Sequence, residues 1–103
     1  MEAQSARQVL HAGAVDVDDR PLGRVVGMAS GPDRRWVEWL VMRLWSGGQL
    51  RAVPADDAQW IPSGIRVPYL RQLVAASPEI SAHTLSSTER RADVQSFYAK
   101  VRT

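Results

Sequence analysis

The sequence predicts a mainly β domain, a small β-barrel of about five or six strands with two C-terminal helices. Three observations predict it. Short runs rich in valine, isoleucine and tryptophan recur between Gly, Pro, Asp and Ser punctuation. One run, Arg35–Trp45, is apolar on both parities. After Val67 the period changes from that of a strand to that of a helix. Residues 1–8 read as a flexible N-terminus, 9–68 as the barrel, and 69–103 as a helical extension packed on the barrel or on a partner subunit.

The elements follow in order. Val9, His11, Gly13, Val15 and Val17 share one parity and suit a first strand, with Gly13 a place for a bulge. "DDRPLG" is turn chemistry, because aspartate tolerates left-handed backbone and proline presets φ. "LGRVVGMAS" is the second strand and Gly31-Pro32-Asp33 a second turn. In the third strand, Trp36, Leu40, Met42 and Leu44 take one face, and Val37, Trp39, Val41 and Trp45 the other. The second face therefore needs a cover: barrel closure, the later helices, or another subunit. Ser46-Gly47-Gly48 ends this strand, "LRAVP" is the fourth, "ADDAQWI" a turn or a single helical turn, and "IRV" the fifth. Pro68 suits the first position of a helix whose stripe is Leu70, Leu73 and Val74 and which Ser77-Pro78 stops. The last helix opens with a capping box, Ser86-x-x-Glu89, and carries an apolar stripe of Val94, Phe97, Tyr98 and Val101.

Composition sets the bounds on function. The 103 residues make one small domain, and 45% hydrophobic residues with four tryptophans exceed what a disordered chain carries. No apolar run reaches the length of a membrane span, and the polar N-terminus lacks the apolar core of a signal peptide, so a cytoplasmic location is expected. The absence of cysteine removes disulfides, thiol nucleophiles and zinc–thiolate sites. The pI near 9.7 overstates basicity. Net charge is only +2, from 13 basic and 11 acidic residues, and twelve of the basic ones are arginines that stay charged at any ordinary pH. Arg34-Arg35 and Arg90-Arg91 are pairs rather than a basic run, so they are RNA-contact residues only under an alternative reading.

Catalytic and metal patterns do not assemble. Asp16, Asp18 and Asp19 invite a calcium-loop reading, but counting from Asp16 puts Arg20 at position 5, Pro21 at position 6 and Gly27 at position 12, where an EF-hand needs an oxygen ligand, glycine and glutamate. A tight turn explains them better. Asp56-Asp57 suits the cap of a helical turn better than an acid–base pair. His11 and His83 are far apart and neither has a second ligand at metal spacing. No serine sits in a nucleophile elbow, and no glycine pattern matches a P-loop or a dinucleotide fingerprint. No catalytic residue, metal ligand or cofactor is assigned.

The tryptophans are the distinctive feature. Trp36, Trp39, Trp45 and Trp60 are either core fillers or interface anchors, and tryptophan and arginine dominate binding hot spots. With Phe97 and Tyr98 of the last helix they are the candidate interface residues.

With these elements placed, the chain resembles the PRC-barrel family, small β-barrel domains named from the photosynthetic reaction centre H subunit and found also in a ribosome maturation factor. "GAVDVDDRPLGRVVGMA" is similar to the family's opening strand, D-x-D-G-x-x-L-G-x-V turn and second strand, with Asp19 where glycine is usual. "VEWLVMRLWSGGQLRAVPADDAQW" resembles the central strand, glycine turn and strand ending in Val-Pro. "GIRVPYLRQLVAASPEI" resembles the final strand and its short helix, and "LSSTERRADVQSFYAKV" the closing helix of the family's stand-alone bacterial branch. The resemblance spans about Val9 to Val101 and implies an adaptor or assembly module without shared catalytic residues. The expectation is a non-catalytic protein-interaction module, self-associating as a homodimer or meeting an unknown protein partner. An RNA- or ribosome-associated factor and a small-molecule or cofactor-binding barrel are the alternatives.

Overall fold

A computed structural model of the chain describes residues 1–30, 35–81 and 88–102. The Gly31-Pro32-Asp33 turn, Arg34, His83 and Ser86 of the capping box lie outside the described residues, as do the side chains of Glu89 and Arg90. The fold is mainly β. In chain order it comprises α1 (Ala3–Val9), β1 (Gly13–Val15), β2 (Pro21–Ser30), β3 (Val37–Leu44), β4 (Leu50–Pro54), β5 (Gln59–Ile61), β6 (Gly64–Arg66), α2 (Arg71–Ala75) and α3 (Thr88–Arg102). The six strands form one mixed sheet in the order β4-β3-β2-β1-β6-β5, with β1 and β6 parallel and the other pairs antiparallel.

No strand pairing joins β4 to β5 among the described residues, so the sheet is not closed into a barrel. It is nevertheless rolled. In a flat sheet, five interstrand steps of about 4.8 Å would separate the outer strands by about 24 Å. The chain from Pro54 to Gln59 can span at most about 18 Å. The two edges must therefore curl toward each other. Bulges in β2, between Val25 and Gly27 and between Ala29 and Ser30, add local bend and twist.

Strands pass very close at two glycines. A side chain at Gly23 would run into the backbone carbonyl of Arg43 on β3. Gly64 has φ +148°, and a side chain there would strike the carbonyl of Gly13 on β1. Inside the roll, Val25, Leu40, Met42, Val53, Ile65 and Val67 are fully buried.

Four elements differ from the sequence reading. The N-terminal residues, expected as a loose end, form α1. Its signal is weak because only Ala6 and Val9, one helical turn apart, face inward, and both are wholly buried. The first strand is correspondingly short: Val9 ends α1, His11 turns at φ 71°, and β1 is only Gly13–Val15. β5, read as part of a turn, is an edge strand whose residues are exposed or half-buried, so its sequence lacks an inward-outward alternation. The second helix begins at Arg71 rather than Pro68. Leu70 is still extended at φ −68° and ψ 145°, and Tyr69 before it is held in a bend, its carbonyl accepting from Val17 N (3.1 Å) and its ring packing against Tyr98 at 4.9 Å.

The two apolar faces of β3 are covered differently along its length. Val37 and Trp39 are buried on one parity, then Leu40, Met42 and Leu44 on the other. Trp39 lies beneath α3, its ring 6.1 Å from Tyr98. Tyr98 also donates to Ala52 O at 2.9 Å, while Ile80 N donates to Leu50 O at 3.2 Å. These bonds occupy carbonyls along the free edge of β4, so the C-terminal segment covers that edge within the same chain. Beyond Trp39, Val41 is only half-buried, and Arg43 and Trp45 are exposed.

Candidate interaction surface

The three opening aspartates build structure. Asp16 is 1% exposed. Its Oδ1 accepts from the amides of Asp18 and Arg20, both at 2.9 Å, and its Oδ2 accepts from Arg71 N at 2.9 Å. One carboxylate thus closes the β1–β2 turn and caps the first amide of α2. Burial opposes its charge, but the amides of Arg20, Arg71 and Asp18, with the Arg20 guanidinium, outweigh that cost and hold its carboxyl below the usual value of 3.8. Asp19 sits at φ 63°, the left-handed backbone that aspartate tolerates, and accepts from Arg66 Nε at 2.7 Å.

The second acidic turn lies between β4 and β5. Asp56-Asp57, expected to cap a helical turn, forms a plain turn instead, with Asp57 at φ 65°. Asp56 Oδ1 lies 3.6 Å from the Met1 ammonium, which also donates to Val37 O at 3.3 Å.

The candidate interface residues divide into two sets. Trp39 and Tyr98 are 5% and 2% exposed and pack on each other inside the chain, so they are core residues. Burial pushes the Tyr98 hydroxyl far above its ordinary pKa, which keeps it a donor to Ala52. Phe97 is half-buried against the core, edge-on to Tyr98 at 5.2 Å. Trp36, Trp45 and Trp60 are 46%, 55% and 50% exposed. A fold that buries twenty apolar side chains among the described residues and leaves three of its four tryptophans half in solvent has a surface suited to a partner.

These three exposed rings lie in two settings. Trp36 and Trp60 line one open groove of about 310 Å³ with Glu2, Asp56 and Asp57. Trp36 also lines an adjoining groove of about 380 Å³ with Glu38, Asp56, Tyr98 and Trp39, whose buried indole N–H has no acceptor among the described residues. Four carboxylates therefore border the two grooves, and among the described residues no arginine or lysine lines either. Trp45 is at the other end of β3. The Arg24 guanidinium sits 5.5 Å from its ring centroid, and Arg24 and Arg43 are direct cross-strand partners. Sequence reasoning singled out the tryptophans but missed Arg24 and Arg43, which adjoin only once β2 pairs with β3.

Of the arginines considered for RNA, Arg35 is exposed beside Trp36 and Arg91 is half-buried, its Nη2 3.4 Å from Ser30 O. Among the described residues no helix is long and apolar enough to cross a membrane. In comparison with known proteins, the chain matches no family model and no curated protein.

Proposed function

We propose that the chain is a non-catalytic protein-interaction module of PRC-barrel type that self-associates, in its simplest form as a homodimer, through its exposed tryptophans. The observation that carries this reading is the half exposure of Trp36, Trp45 and Trp60, the three most exposed large apolar side chains among the described residues. Aromatic rings at half exposure lose the most water-contacting surface when a partner covers them, which is why they anchor interfaces. The rolled mixed sheet with its C-terminal helices is compatible with the family resemblance, and the order of strands, turns and proline stops supports it.

The reading is tested by measuring the self-dissociation constant of Trp36→Ala/Trp60→Ala and of Trp45→Ala. Each should weaken association by about tenfold or more, as loss of a hot-spot residue does. Unchanged constants in both would remove the tryptophans from the interface.

RNA binding is the second reading, favoured by one arrangement: the exposed Arg24 and Arg43 beside the exposed Trp45 ring. A cationic pair next to a stacking platform suits single-stranded nucleic acid. It predicts co-purifying material that absorbs at 260 nm and binding that falls steeply with salt.

A further inference from the structure

The two tryptophan surfaces carry opposite charge at opposite ends of the molecule. Trp36 and Trp45 bracket β3, and nine residues of extended chain span about 30 Å, close to the longest molecular dimension of 33 Å. At the first end, Trp36 and Trp60 stand among Glu2, Glu38, Asp56 and Asp57, against which the Met1 ammonium is the one cation lining the grooves among the described residues. At the second end, Arg24 and Arg43 are held side by side in the ladder with Trp45 between solvent and sheet. Directly opposed like charges in an antiparallel pair repel, and an incoming carboxylate relieves that repulsion. A contact between two acidic ends, or between two basic ends, juxtaposes like charges and is disfavoured.

Resting on the self-association reading, we propose that the acidic Trp36–Trp60 end of one copy receives the basic Arg24–Arg43–Trp45 end of a second copy. The rings supply apolar area at both sides of this contact, and the charges set its polarity. Glu2 and Asp56 face guanidinium groups of the incoming chain. Because the two patches are different surfaces of the same chain, each bound copy still offers one free end of each kind unless the geometry closes on itself.

The test uses three nuclease-treated full chains in light scattering at low salt: the unaltered protein, Glu2→Lys/Asp56→Lys, and Arg24→Glu/Arg43→Glu. The unaltered chain associates. Each variant alone is weakened by about tenfold or more, since both of its ends then share one sign. An equimolar mixture of the two variants associates again, to within about threefold of the unaltered chain. Thermal melts check that both variants fold. If the acidic-end variant does not, Glu2→Gln/Asp56→Asn replaces it, and if the basic-end variant does not, Arg24→Gln/Arg43→Gln replaces it; no weakening in the replacement contradicts the proposal. Variants that associate like the unaltered chain, or a mixture as weak as its components, overturn the acid-to-base contact while leaving self-association standing. An unaltered chain that stays monomeric overturns both readings. Association that disappears on nuclease treatment overturns the proposal in favour of RNA bridging.

Discussion

The β1–β2 and β4–β5 turns look alike in sequence and act differently in the fold. Each contains adjacent aspartates, and each places one in left-handed backbone, Asp19 at φ 63° and Asp57 at φ 65°. In the first turn the decisive carboxylate, Asp16, is buried and bonded to three amides from two parts of the chain. In the second, the Asp56 side chain is 57% exposed and borders a groove walled by two half-exposed tryptophans. The lesson is that an aspartate pair acquires its role from its surroundings. Asp16, ringed by amides, stabilises the fold, whereas Asp56, paired with the Met1 ammonium at 3.6 Å, keeps over half of its surface at the rim of an aromatic groove.

Substitutions can break this contrast or sharpen it. The largest effect is expected at Trp39, the buried member of the groove beside the second turn. Trp39→Ala should destabilise the chain by roughly 3–5 kcal/mol in denaturant unfolding, the range for emptying a core site of an aromatic ring. A loss below about 1 kcal/mol would show that Trp39 is not part of the core.

Asp16→Ala follows. It strands three backbone amides, and a loss on the order of 3 kcal/mol is expected. The same residue gives the pH dependence. Its native carboxyl titrates below its unfolded value of 3.8, so its stabilising contribution is complete above that pH and is lost as pH falls through the native value. Unfolding free energies measured from neutral pH downward should fall below about pH 4, and Asp16→Asn should flatten that decline. Identical profiles for the two proteins would contradict the assignment.

The smallest effect belongs to the second turn. Asp56→Asn/Asp57→Asn should change stability by no more than about 0.5 kcal/mol, as surface changes do, while weakening self-association. A large stability loss without change in association would reverse the comparison between the turns.

Much of the fold was legible in the residues. The strand order of turns and breaks, the exact span of "LRAVP", and the left-handed tolerance at Asp19 follow from local chemistry that tertiary context does not override. α1 was hidden because seven residues with only Ala6 and Val9 turned inward carry too little periodicity to distinguish a helix from a loose end. β5 was hidden because an edge strand exposed on both sides does not alternate. The two apolar faces of β3 were visible, and the demand for a cover was sound. What could not be seen was that α3 covers Trp39 while Trp45 stays half exposed. The charge around each tryptophan was equally invisible, because Arg24 and Arg43 meet across a ladder and Glu2 meets Asp56 across the fold.

The most direct measurement is size-exclusion chromatography with light scattering across a range of protein concentrations, at low and high salt, with absorbance read at 260 and 280 nm. The account predicts a mass above the 11.4 kDa of one chain that rises with concentration, carries protein absorbance alone, and declines as salt screens the charged ends. A single 11.4 kDa species at every concentration and salt would contradict it.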